Sequence, residues 1–331
     1  MRRSEKKGAF MFQILKKSLS LLSISLLATG ALWGCQSQPM PTLQTTLQPA
    51  SLGQRQSHLQ RTPQLGIFSA TGPKLKRKLG LRLNPNRRRV RLAPEDLIPL
   101  EARKPGQGLP AKVDLRQWAS PVDDQGDLGA CTGFSLKAIR ELMLIRDGQP
   151  LTTLSPLFLY YYERKREGTV DEDAGAMITT GMEVLQKVGV AREALWSYDP
   201  SNDNNPVTKE KFQVAPSAEA YSDARKYRVK SFKPLDTLRD IRYELAHRNP
   251  VVIGMEVFEA FYNTPDGRLP KPNPKEQSQG GHAVAVVGYD DAQKVLIVKN
   301  SWGTGWGDQG YFYLPYDYVK LGLASEALTA Y

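Results

Sequence analysis

Asp124-Gln125-Gly126-Asp127-Leu128-Gly129-Ala130-Cys131-Thr132-Gly133-Phe134 joins a glycine-rich loop to the start of an apolar-periodic segment. From Cys131 onward, Phe134, Ala138, Ile139, Leu142 and Ile145 recur at three- and four-residue steps, the spacing of an amphipathic helix. Cys131 therefore stands in a first helical turn, where unpaired backbone N–H groups and the positive end of the helix dipole favour an anion. A thiol there is expected to have a lowered pKa and to react as the thiolate. The competing reading is a core cysteine, since free cysteine behaves as a small hydrophobe. Position alone does not separate the two; the partners elsewhere in the chain favour the first.

The chain of 331 residues has a net charge of +11, unevenly spread. Residues 1–35 hold six Lys/Arg against one acid, residues 36–110 thirteen against three, and the remainder 26 against 30. The basicity belongs to the N-terminal third. No basic patch interleaved with aromatics occurs in the body, which argues against nucleic acid as a partner. Cys35 and Cys131 are the two cysteines, too few for a disulfide framework. No metal or nucleotide motif stands out, and no cofactor is expected.

Residues 1–35 read as an export signal. Arg2, Arg3, Lys6, Lys7, Lys16 and Lys17 precede a short apolar core, Leu19–Leu27, too short to span a bilayer as a helix. The core runs into Ala31-Leu32-Trp33-Gly34-Cys35, which resembles a bacterial lipobox and implies lipidation of Cys35 and anchoring of an exported protein to a membrane. An uncleaved anchor or plain secretion is the other reading. Residues 36–105 are rich in Gln, Ser, Thr and Pro, with basic runs at 74–78 and 87–91, and carry no helical or alternating period. The favoured reading is an unstructured tether lying on anionic headgroups, and the sharper one an inhibitory pro-segment.

The compact domain is placed at 106–331. Helices are expected from Cys131, over Ser155–Arg166, about Ala176–Val188 and Leu235–Arg248, with a long loop over 199–217. Strands follow at Val251–Phe258, Ala283–Tyr289, Val295–Lys299 and Tyr311–Leu314. Helices first and antiparallel strands second predict an α+β domain whose halves face each other across a cleft.

Of the histidines, His58 falls in the tether, and His247 ends a helix, where capping explains it. His282 enters the strand Ala283–Tyr289. Pairing that strand with Val295–Lys299 around Asp290-Asp291-Ala292-Gln293 sets 289 opposite about 295, 284 opposite 300 and 282 opposite 302. Asn300 then lies beside His282, within reach of a ring N–H. A Cys–His pair attacks acyl carbons, and a third group orients the imidazole. Asn serves there because the ion pair already carries the charge. Trp302 is placed to cover the His–Asn bond, or simply to fill the core. Gln125 can direct its side-chain NH2 at a developing oxyanion beside the Cys131 N–H.

Gln125-Gly126, Gly129-Ala130-Cys131, Gly281-His282-Ala283 and Asn300-Ser301-Trp302-Gly303-Thr304-Gly305-Trp306-Gly307, with the entry Val113-Asp114-Leu115-Arg116, resemble the signatures of papain-like cysteine peptidases, of bacterial rather than lysosomal or plant type. The resemblance implies a two-lobed fold with a helical left lobe, an antiparallel β right lobe and the active-site cleft between them. It implies hydrolysis of peptide or protein substrates through a thioester, with Cys131 as nucleophile, His282 as acid and base, Asn300 as its orienter and Gln125 as oxyanion donor. A monomer is expected. A catalytically weak scaffold or a transpeptidase on the same shell is the alternative. Leu128 replaces the family's usual half-cystine, Thr132 its usual aromatic, and Asp173-Ala174-Gly175-Ala176 its glycine-pair strand.

Overall fold

The computed structural model describes residues 77–99, 102, 108–198, 211–273 and 275–331. Cys35, His58, the signal segment and most of the predicted 199–217 loop lie outside them.

β1 (Lys112–Asp114) leads to α1 (Cys131–Arg146), α2 (Pro156–Glu167), α3 (Ile178–Lys187) and α4 (Ala218–Ala224). Next come β2 (Phe232–Pro234), α5 (Leu238–Ala246), β3 (Val251–Val257), β4 (Gly280–Asp290), β5 (Val295–Lys299), β6 (Tyr311–Pro315), α6 (Tyr316–Lys320) and β7 (Ala324–Ala330). The predicted α+β class holds. One antiparallel sheet has the order β2-β7-β3-β4-β5-β6, with β1 also paired to β4.

Local chemistry accounts for the ends of several elements. Ser155 caps α2 by accepting the Phe158 N–H, Pro156 occupies the first helical position, and Gly168 closes the helix in the left-handed conformation. Thr237 and Asp240 form a reciprocal capping box on α5. The sequence pattern does not predict α4, β2 and β7, nor the short β1 and α6. The first two are short, and β7 is a small-residue run, Ala-Ser-Glu-Ala-Leu-Thr-Ala, with weak β signal, buried along its whole length by its neighbours β3 and β2.

α1 is not an amphipathic surface helix. Twelve of its sixteen residues are buried, Lys137 and Glu141 among them. Those charges are accommodated because Lys137 Nζ reaches Asp123 at 2.6 Å and Glu141 accepts the Leu154 N–H at 2.7 Å. β4 is buried on both faces. Val284 and Val286 enter the core of the β lobe, while the small Ala283 and Ala285 face the helical core that contains Cys131, Leu136 and Ile139. This alternation brings the start of α1 against β4.

The predicted hairpin register needs one correction. Tyr289 pairs with Leu296 and Asp290 with Val295, one residue from the expected 289–295 pairing. A bulge between Val286 and Gly288 absorbs the extra residue, so Val286 pairs with Val298 and Ala285 with Lys299. Beyond the bulge the register is the one that sets 284 opposite 300.

The expected unstructured tether does not hold for its described part. Val90 and Ala93 are buried, Val90 in the core of the β lobe. Asp96 receives Arg242 at 2.9 Å and the N–H groups of Ala93 and Arg239. Arg242 also reaches Asp291 at 2.8 Å, so a buried Asp96–Arg242–Asp291 triad fixes residues 90–97 to α5 and the β4–β5 turn. The compact unit thus includes residues that precede the predicted boundary at 106.

Candidate active site

Three segments of the chain converge on Cys131: α1, β4 and the stretch that holds Gly80. The helix α1 begins at Cys131, with Ala130 as its N-cap, so the sulfur does stand in a first turn. Three backbone N–H groups point to the thiol, from Ala283 of β4, from Thr132 and from Gly80. Ala283 follows His282 directly, which fixes the histidine's strand against the helix that Cys131 begins.

His282 is fully buried, and its Nε2 lies 2.8 Å from Asn300 Oδ1. With Nε2–H donating to that amide oxygen, Nδ1 is left without a hydrogen-bond partner among the described residues. Trp302 is 5% exposed and its ring lies 5.1 Å from the imidazole, stacked on Tyr262 and edge-on to Phe261. It is part of the core of the β lobe, beside the imidazole. Gln125 is immobilised from several sides. Its Oε1 accepts the Ser301 hydroxyl at 2.6 Å, its N–H donates to the Ser301 carbonyl at 2.8 Å, and its own carbonyl accepts the Tyr198 hydroxyl. Its amide Nε2 donates to the Leu128 carbonyl at 3.1 Å and to the Lys78 carbonyl at 3.2 Å. His247 is the C-cap of α5, its Nδ1 2.8 Å from the Tyr243 carbonyl, as expected of a capping residue.

The Lys78 carbonyl belongs to a strap, residues 77–82, that the sequence reading left in the tether. Its backbone pairs with the Asp173–Ala176 segment, Ala176 N–H to Gly80 O and Arg82 N–H to Ala176 O, both 2.9 Å, in parallel sense. On the other side Leu81 N–H donates to Gly281 O at 3.3 Å. Leu81 is buried with Cys131, Ile178 and Ala283. Its cations meet acids of the domain: Arg77 with Asp124 and Lys78 with Asp173 at 2.6 Å, Arg82 with Glu167 at 2.9 Å. A signal was present in the sequence. Lys78-Leu79-Gly80-Leu81-Arg82 is a short apolar core with basic flanks, attached to a body with an excess of acids.

The strap reverses the expected electrostatics of the thiol. Cys131 is wholly buried, and burial pushes its pKa up to about 11 against the pull of the three N–H groups. The same burial lowers His282 to about 4, the Asn300 bond opposing. With the strap in place burial works against charge on both side chains, raising the thiol and lowering the imidazole. The helix start favours an anion, but desolvation under the strap outweighs it.

Residues 109–331 match the family model described as papain family cysteine protease. An uncharacterised peptidase C1-like protein of Acanthamoeba polyphaga mimivirus is 39% identical over 62% of this chain and 68% of its own. Cathepsin K of Gallus gallus is 31% identical over 62% of this chain and 58% of its own. Of solved structures, xylellain, a cysteine protease from Xylella fastidiosa, aligns with a TM-score of 0.63 and 31% identity over 77% of this chain and 97% of that one. A Carica candamarcensis cysteine protease in complex with E-64 gives 0.53 and 26% over 67% and 98%. The chain belongs to the papain family of cysteine proteases. It spans about 60% of the length of several of the curated relatives it matches.

Proposed function

We propose that this protein is a membrane-tethered cysteine endopeptidase held latent by its own residues 77–82. The observation that carries the reading is the 2.8 Å His282 Nε2–Asn300 Oδ1 contact on a strand whose next N–H, from Ala283, meets the Cys131 sulfur. With Nε2 engaged by Asn300, Nδ1 is the site for the sulfur's proton. When the strap leaves, water enters, and transfer of that proton gives the thiolate–imidazolium pair. The thiolate attacks a peptide carbonyl carbon. The oxyanion that forms accepts from the Cys131 N–H and from Gln125 Nε2, the donor that the Lys78 carbonyl engages in the closed form. The imidazolium gives its proton to the departing amine, leaving a thioester. Water, deprotonated by the same imidazole, releases the acid and frees the thiol. Lipidation at Cys35 would hold the enzyme at a membrane of the exporting cell.

The test is cleavage of a peptide library by the full mature chain, alongside labelling of Cys131 by an epoxide thiol reagent. Cleavage and labelling that both disappear in Cys131→Ala support the reading. Cleavage that survives that substitution removes it, and labelling without any cleavage leaves the binding-scaffold alternative. An added amine appearing in the products identifies transpeptidation. Release from membranes by Cys35→Ser tests the tether, and retention would point to an uncleaved anchor.

A further inference from the structure

Thr132, directly after Cys131, has a side-chain partner of its own. Thr132 Oγ1 donates to Glu163 Oε2 at 2.6 Å, with both residues wholly buried. Glu163 is on the third turn of α2, and its other oxygen, Oε1, has no hydrogen-bond partner among the described residues. α3 makes room for that oxygen with Gly181, where a Cβ would come within 2.5 Å of Oε1. Three helices thus enclose one carboxyl group that touches the residue directly after the nucleophile. That residue's N–H is one of those directed at the Cys131 sulfur.

We propose that Glu163, acting through Thr132, is a positioning residue for the nucleophile: as a neutral carboxyl it holds the first turn of α1 so that the Thr132 N–H lies on the sulfur, and as an anion it opposes the thiolate. Chemistry and surroundings agree with this. A buried acid with one unbonded oxygen is held neutral, and burial pushes Glu163 up to about 8. The charged groups around it are Cys131 on α1 and Arg164 and Glu167 on α2, with Arg82 of the strap paired to Glu167. Glu167 reinforces the neutral form and Arg164 resists it, while α3 presents Gly181. The ionised carboxylate in turn raises the Cys131 thiol. The inference concerns the reactivity of the sulfur and rests on the proposed catalytic role of Cys131 only for its consequence in turnover.

The experiment is alkylation of Cys131 by iodoacetamide in the full chain, quantified by peptide mapping from about pH 6 to about pH 9.5. Wild type, Glu163→Gln, Thr132→Val and Thr132→Ser are compared at each pH, so that strap opening is common to all. Glu163→Gln keeps shape and acceptor, and its rate should stay within about twofold of wild type at the acid end but exceed it at least about threefold at the alkaline end. Thr132→Val should be slower throughout, and Thr132→Ser, which restores the hydroxyl, should return to wild type. A Gln-to-wild-type ratio that stays flat across the range overturns the proposal. So does a Thr132→Val chain that matches Thr132→Ser, a comparison that stands even if the Gln chain does not fold. The predicted shifts in labelling without peptide cleavage would sink the peptidase reading and leave this inference intact. Normal cleavage with a flat ratio would do the reverse.

Discussion

A Cβ on Gly80 would stand 1.8 Å from the carbonyl oxygen of Gly129, two residues before Cys131. The strap therefore fits its cleft only because position 80 has no side chain, and the clash is with backbone that a rotamer change cannot relieve. Gly80→Ala should expel the strap. The full chain carrying it is expected to turn over peptides at least about tenfold faster than wild type, a change of about 1.4 kcal/mol in the closed–open balance. Equal rates in the two chains would show that residues 77–82 do not hold the enzyme latent.

Within the reaction, loss of the sulfur and loss of the imidazole should be equivalent, because the two act as one unit. Cys131→Ala and His282→Ala are each expected to lower kcat by about 10⁴-fold or more without changing the denaturation midpoint downward. Asn300→Ala leaves the pair in place but unoriented, and should cost about ten- to a hundredfold. Steady-state kinetics in a chain already opened by Gly80→Ala provide the check. A His282→Ala chain with full activity would contradict the roles assigned to the β4–β5 hairpin.

Closure of the strap should depend on pH. Burial depresses His282 to about 4 from an ordinary 6.5, so the closed form binds fewer protons than an open form that exposes the ring. The closed state keeps its full advantage above about pH 6.5 and loses it progressively as pH falls toward about 4. In a Cys131→Ser chain, which cannot digest itself, hydrogen-exchange protection of the Leu81 and Arg82 amides should fall across that window, by at most about 300-fold. In a His282→Gln version of the same chain it should not. Protection that is constant with pH in the histidine-containing chain would refute the coupling.

The buried triad makes a separate prediction about stability. Arg242 is enclosed between Asp96 and Asp291, with all three side chains at most 5% exposed. Asp96→Ala leaves a buried guanidinium with half its charge compensation and should lower unfolding free energy by about 3 kcal/mol. A shift in urea midpoint at constant slope is the readout. By the same reasoning a fragment starting at residue 106 should be less stable than one starting at residue 84, which retains Val90, Ala93 and Asp96. Fragments of equal stability would show that the anchor adds nothing to the fold.

Read alone, the sequence determined the class of the fold, the helix that starts at Cys131 and the placing of Asn300 beside His282. Local information suffices for these. A cysteine opening a periodic helix, a histidine entering a strand, and a turn that sets Asn300 beside it are matters of short-range spacing, which survived even a misplaced bulge. Tertiary structure alone decided the state of the site. Whether Cys131 is ionised depends on what covers it, and the cover is a segment far away in sequence whose own pattern is weak. The six residues 77–82, three of them basic, gain their structure from the carbonyls and acids they meet, so their order is a property of the assembled domain. The same holds for Glu163, an acid in a helix until three helices close over it and its carboxyl meets Thr132.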